Sequence, residues 1–154
     1  MNKKPSIVNE EPKPIDLIRT WEERGYSIGF TNGCFDLIHP GHISLLHCAK
    51  NECDKLVVGL NSDSSVAKLK GKDRPIQKEN ARATVLLALK DVDVVIIFNE
   101  ETPIKLIELI KPDVLIKGGD YKIDEIVGAE FIQQNGGRVV LSDYKNGHST
   151  SEII

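Results

Sequence analysis

Short apolar, β-branched runs alternate with helical patterns along nearly the whole chain, and this alternation is the tightest constraint on its fold. The runs at 27–31, 55–60, 92–98, 113–117 and 138–141 read as strands. Helical patterns cover 15–24, 43–50, 64–69, 79–89, 103–110 and 126–134, and a truncated last helix opens at 147–151. Thr102 and Pro103 supply an N-cap and first-turn start, Gly25 a C′ stop, and Trp21 a core aromatic. The run Lys55-Leu56-Val57-Val58-Gly59-Leu60 is almost continuously apolar, as a strand covered on both faces requires. Strand, helix, strand in repetition predicts an α/β fold: a five-stranded parallel sheet with right-handed crossovers and helices on both faces. Residues 1–14 hold three of the seven prolines and read as a flexible N-terminal arm; 15–154 forms one domain.

Composition narrows the function classes. Over 154 residues, 40% hydrophobic content is enough for a core, while a net charge of −3 excludes a basic nucleic-acid coat. Cys34, Cys48 and Cys53 are odd in number and form no Cys-x-x-Cys pair, which suits a reducing cytoplasm better than a disulfide framework or structural zinc. No apolar run has the length of a signal peptide or a membrane span, so no membrane partner is expected.

The junction between the first strand and the second helix carries the densest chemistry: Thr31-Asn32-Gly33-Cys34-Phe35-Asp36-Leu37-Ile38-His39-Pro40-Gly41-His42. His39 and His42 are three apart, so they neighbour each other on a first helical turn. Pro40 loses nothing there, and Gly41 leaves the backbone open to a ligand. Two imidazoles with helix N-terminal amides suit a phosphate cradle. A zinc half-site and a plain polar helix end are the other readings; no His-Glu-x-x-His pattern supports the former.

Three further groups fall at strand carboxyl ends. Lys68, Lys70, Lys72 and Arg74, with Arg82 in the following helix, read as a phosphate clamp or a solvated basic loop. Lys117-Gly118-Gly119-Asp120-Tyr121 reads as a close backbone approach to a flat ligand or an ordinary turn. His148-Ser149-Thr150-Ser151 reads as a phosphate-binding helix start or a simple N-cap. Asn61 and Asp63 end the second strand; Asp36 and Asp63 are each placed to meet magnesium or a ribose hydroxyl, or to hold a turn. The topology gathers all of these at one pole of one sheet. Cys34 lacks a recognisable His partner for covalent catalysis, no metal-ligand set is evident, and no Gly-x-Gly-x-x-Gly follows the first strand.

The stretch 32–42 resembles the signature of the cytidylyltransferase-like nucleotidyltransferases, with their His-x-Gly-His motif, and Gly147-His148-Ser149-Thr150-Ser151 resembles their second motif. The segments 61–63, 69–75 and 113–121 are similar to the adenylyltransferases that make ADP-heptose for bacterial lipopolysaccharide or capsule. These are often one half of a bifunctional protein with a sugar kinase; the length here suggests a stand-alone form. The resemblance implies a Rossmann-like nucleotidyltransferase fold and transfer of AMP from ATP, with Mg2+, to D-glycero-D-manno-heptose 1-phosphate, releasing pyrophosphate. It implies that His39, His42 and Lys70 are catalytic. It places nucleotide contacts at Gly33, Cys34, Phe35, Asp36, Gly41, Asn61, Asp63 and Arg82, at Lys117, Gly118, Gly119 and Asp120, and at His148, Ser149 and Thr150. A homodimer in the cytoplasm is expected. Related cytidylyltransferases carry an arginine just before the second motif; here Lys145 is the candidate substitute. The rivals are a cytidylyltransferase for glycerol 3-phosphate or another polyol phosphate, and a nucleotide-binding regulatory module without turnover.

Overall fold

The computed structural model describes residues 13–142. Its elements run α1 (Pro14–Glu23), β1 (Ile28–Gly33), α2 (Pro40–Asn51), β2 (Lys55–Asn61), α3 (Asp63–Lys70), α4 (Glu79–Ala88), β3 (Val94–Phe98), α5 (Ile104–Ile110), β4 (Val114–Gly118), a 3-10 turn (Ile123–Glu125), α6 (Ala129–Gln134) and β5 (Arg138–Ser142). The expected alternation holds, and every strand pair is parallel. The strand order is β3-β2-β1-β4-β5.

Three local readings need correction. The helix expected over 126–134 is broken, because Gly128 takes a left-handed φ of 88° and only Ala129–Gln134 continues. Pro103, not Thr102, is the N-cap of α5. Trp21 is half-buried at the rim of the core, with the Lys55 ammonium 5.2 Å from its ring centroid. The expected final helix lies outside the described residues.

Each face of the sheet has its own core. Ile18, Phe30, Val57, Ile96, Ile107, Leu115 and Ile132 pack on the side of α1, α5 and α6. Leu45, Leu46, Leu56, Val58, Leu60, Leu86, Val95 and Ile116 pack on the side of α2 and α4. The alternation of partners along β2, with Val57 on one side and Leu56 and Val58 on the other, is the pleat at work. Gly59 exists for a neighbour: a Cβ there would lie 2.7 Å from the Phe30 ring.

The two poles of the sheet use charge differently. At the amino pole, the aspartate preceding each of three strands accepts an amide hydrogen bond from the start of the strand alongside or from the residue just before it. Ser27 donates to Asp54 at 2.8 Å, Leu56 to Asp93 at 2.8 Å, and Ile28 to Asp113 at 2.8 Å. Lys50 closes the Asp93 site at 2.6 Å. Those carboxylates align strand starts. The carboxyl pole opens instead. β1 and β2 stay paired up to Gly33 and Leu60, but β1 and β4 pair only at Gly29–Val114 and Phe30–Leu115. Beyond Phe30 these two strands separate. This is also where the strand order reverses direction, the place where open parallel sheets hold ligands.

Candidate active site

The separation of β1 from β4 creates a cavity of about 570 Å³, within the usual range for ligand sites of about 300–1,000 Å³. The exit of β1 contributes Asn32, Gly33, Cys34 and Phe35. The exit of β4 contributes Lys117, Gly118, Gly119, Asp120 and Tyr121, and His42, Leu45 and Lys70 complete the wall. Most of the residues singled out at the two strand exits therefore share one space. A second cavity of about 520 Å³ adjoins it; Asn32, Gly33, Cys34, Lys70, Lys117 and Tyr121 line both, and Asn61 lines only the second.

The histidine pair is built by the start of α2. Pro40 opens the helix after the extended N-cap His39, as its fixed φ favours. The His39 and His42 rings stack with centroids 3.7 Å apart. The His39 amide donates to His42 Nδ1 at 3.3 Å, so the neutral ring of His42 carries its proton on Nε2. Phe35, held at a positive φ of 45°, brings its ring centroid within 5.1 Å of His42. Burial, then the neighbouring His39 and Lys70, depress the His42 pKa to about 4. His42 is thus a neutral hydrogen-bond donor on the cavity wall. His39 is buried behind it and borders a separate surface hollow with Ile38, Pro40 and Ile43. Gly41 is buried inside the same helical turn and lines neither of the two cavities.

Lys70 and Lys117 bring positive charge from opposite sides. Lys70 sits in the exposed last turn of α3, just before Gly71 at φ 105°. Lys117 is half-buried at the end of β4, its ammonium 5.0 Å from the Tyr121 ring centroid. Burial lowers the Lys117 pKa, opposed by the neighbouring Cys34. Burial raises the Cys34 thiol, against the pull of Lys70 and Arg82, so it is no thiolate nucleophile.

The expected basic clamp divides. Of its members only Lys70 reaches the cavities. Arg82 is 1% exposed and donates to the carbonyls of Gln77 (2.9 Å), Cys34 (2.8 Å) and Asn61 (2.8 Å) and to the Asp63 carboxylate (2.8 Å). Asp36 is equally buried. It accepts from the Ile76 amide at 2.8 Å, the Gln77 amide at 2.9 Å and Arg74 Nε at 3.1 Å. These bonds overcome its burial and hold its carboxyl below the ordinary carboxylate range. Asp36, Asp63 and Arg82, expected at the nucleotide, tie the exits of β1 and β2 to the 74–77 loop and to the start of α4, and none lines either cavity. The reason is geometric: an arginine side chain from the first turns of α4 is long enough to reach both strand exits and satisfy their carbonyls. Sequence reasoning missed Asn32 and Leu45 in the wall, and left Tyr121 out of the expected contacts although it ends the Lys-Gly-Gly-Asp run. His148, Ser149, Thr150 and Lys145 lie outside the described residues. Among the described residues no group of three or more His, Cys, Asp or Glu side chains is placed to hold a metal ion. No helix among them is long and apolar enough to cross a membrane.

The family model described as Cytidylyltransferase-like matches residues 30–154. The chain is 57% identical over 139 residues to a protein named Bifunctional protein HldE from Paramagnetospirillum magneticum, covering 90% of this chain and 28% of that one. It is 54% identical over 138 residues to the protein of the same name from Caulobacter vibrioides, covering 90% and 29%. It thus spans between a quarter and a third of the length of these curated relatives. A solved lipopolysaccharide core biosynthesis protein from Thermoplasma volcanium superposes with a TM-score of 0.64 at 35% identity, over 79% of this chain and 98% of that chain. Pantoate-beta-alanine ligase from Francisella tularensis, solved with an ATP analogue and beta-alanine, superposes with a TM-score of 0.61 over 94% of this chain and 68% of that chain. At 20% identity it attests the fold alone. A parallel sheet that parts at its switch point beneath a His-x-Gly-His turn, with a family match over most of the chain, leads to one assignment: the chain belongs to the cytidylyltransferase-like family.

Proposed function

We propose that this chain transfers AMP from ATP to a heptose 1-phosphate, giving an ADP-heptose and pyrophosphate. The observation that carries the reading is the cavity at the β1/β4 switch point, which His42, Lys70 and Lys117 line together. The relatives add a direction. They are named bifunctional and match this chain over only part of their length, and the 35% identical solved structure is named for lipopolysaccharide core biosynthesis.

The chemistry asked of the site is modest. An oxygen of the acceptor phosphate attacks the α-phosphorus of ATP. A new P–O bond forms as the bond from the α-phosphorus to the bridging oxygen breaks, and pyrophosphate leaves with that electron pair. A phosphate monoester has lost most of its second proton at neutral pH, so no general base is required. What is required is alignment and stabilisation of charge on the phosphoryl oxygens. His42 would donate from Nε2 to that charge, and His39 would hold the ring in place through its amide. Lys70 and Lys117 would neutralise the phosphates as mobile and half-buried cations. The Gly118-Gly119 backbone would pass close to the base and ribose. Ser149 and Thr150 would complete the triphosphate site from the second motif. Mg2+ would arrive on the triphosphate, held largely by the phosphate oxygens and by water, as this ion keeps few protein ligands. A cytoplasmic homodimer completes the proposal.

The test is a matrix of nucleoside triphosphates against sugar and polyol phosphates, followed by pyrophosphate release. Turnover with ATP and a heptose 1-phosphate is the expected result. Turnover with CTP and glycerol 3-phosphate instead would overturn the choice of substrates. Nucleotide binding without any pyrophosphate release would favour a regulatory module.

A further inference from the structure

The second cavity has no task in the account so far. It lies at the carboxyl ends of β1, β2 and β4 and under the loop that follows β3, and it meets the first cavity along the wall that includes Cys34, Lys70 and Lys117. Its own lining differs in chemistry. Glu101 and Thr102 come from the loop after β3, and Glu125 comes from the 3-10 turn; none of the three lines the first cavity. Leu115 and Ile126, both buried in the core, form part of its surface. The cavity therefore has cations where it meets the first cavity, carboxylates and a hydroxyl elsewhere, and an apolar base.

That distribution matches a molecule with an anionic end and a hydroxyl-rich body. Ionised carboxylates only accept hydrogen bonds, so they recognise hydroxyl groups and repel a second phosphate. The apolar base suits the C–H face of a sugar ring. A nucleoside triphosphate fits this space poorly, because its charge would meet Glu101 and Glu125. The phosphate of a ligand seated here would stand between Lys70 and Lys117, on the boundary with the first cavity, where an attack on the α-phosphorus has to occur.

We propose that the second cavity is the acceptor subsite and that Glu101 and Glu125 are specificity-determining residues that accept hydrogen bonds from hydroxyl groups of the sugar phosphate. This rests on the adenylyl-transfer reading. The experiment measures steady-state pyrophosphate release by the full chain and by Glu101→Gln and Glu125→Gln, varying ATP and the sugar 1-phosphate separately. Both side chains are exposed at the cavity, so the amides leave folding intact, and equal melting temperatures check this. The amide oxygen still accepts a hydrogen bond but without the charge that strengthens it, so each substitution should raise the acceptor KM about three- to tenfold. The KM for ATP should stay unchanged. An unaltered acceptor KM in both variants would overturn the subsite while leaving adenylyl transfer intact. A rise confined to the KM for ATP would assign the cavity to the nucleotide and overturn it equally. A wild-type chain that releases no pyrophosphate with any sugar 1-phosphate would overturn the underlying reading, and the subsite with it.

Discussion

His42 shows how one residue's surroundings set its chemistry. Its ring is buried, stacked on His39 and faced by Lys70, so it stays neutral where a free histidine would charge. The folded pKa lies near 4 against an ordinary 6.5, and the sign of the linkage follows. Between those values the unfolded chain binds a proton that the folded chain does not. The stabilisation is complete above pH 6.5 and is lost as pH falls toward 4. Melting temperatures of the wild type should therefore drop across this interval, and His42→Asn should flatten that part of the curve. The depressed carboxyl of Asp36 acts in the same direction but at lower pH, below the ordinary carboxylate range, so the two contributions separate. Under the proposed reaction His42→Ala takes away a donor that would meet developing charge and should lower kcat about 100- to 1,000-fold, with melting temperature as the control for folding. The histidine pair was legible as a motif. Its neutrality was not, because the depressed pKa comes first from burial, then from His39 and from Lys70, the last twenty-eight residues along the chain.

At the scale of elements, the arginine of α4 and the aspartate of the β1 exit carry the site's geometry without entering it. Arg82 joins the exits of β1 and β2, and Asp36 joins the β1 exit to the loop before α4. Arg82→Ala would leave buried carbonyls and the Asp63 carboxylate without their partner. The expected loss is about 3–5 kcal/mol, read from urea unfolding, with turnover falling as the β1 exit loosens. Asp63→Asn should cost much less, since its carboxylate is 31% exposed and the amide oxygen still accepts from Arg82. The sheet itself offers a packing check. Gly59→Ala places a methyl against the Phe30 ring and should destabilise by about 1–3 kcal/mol in the same assay. Helix and strand existence could be read from periodicity. The break at Gly128 could not, because nothing in the pattern of 126–134 distinguishes a permissive glycine from one already turned to positive φ.

For the whole molecule, the division between poles is the organising fact. Aspartates before β2, β3 and β4 fasten the strand starts, while the carboxyl ends of β1 and β4 part to form the first cavity. A ligand that binds only this folded arrangement must raise global stability. ATP at a hundredfold excess over its Kd should add about 2.7 kcal/mol, seen as a higher melting temperature. The same titration with CTP compares the two nucleotides, and Lys117→Met should reduce the ATP shift without lowering the unliganded melting temperature.

The amino-acid sequence by itself determined the class of fold, the order of elements and the pole at which chemistry collects. Those depend on hydrophobic period and chain connectivity, which are local or topological properties. It also marked out the His-x-Gly-His turn and the Lys-Gly-Gly-Asp-Tyr exit, because special backbone positions demand particular residue types. The tertiary structure decided which charged groups face the cavities and which bond within the protein. Lys70 and Arg82 belong to one basic group in the chain; one ends exposed on a cavity wall, the other is buried among carbonyls and the Asp63 carboxylate. Charge type is written in the chain, but its use depends on what burial brings within hydrogen-bonding distance.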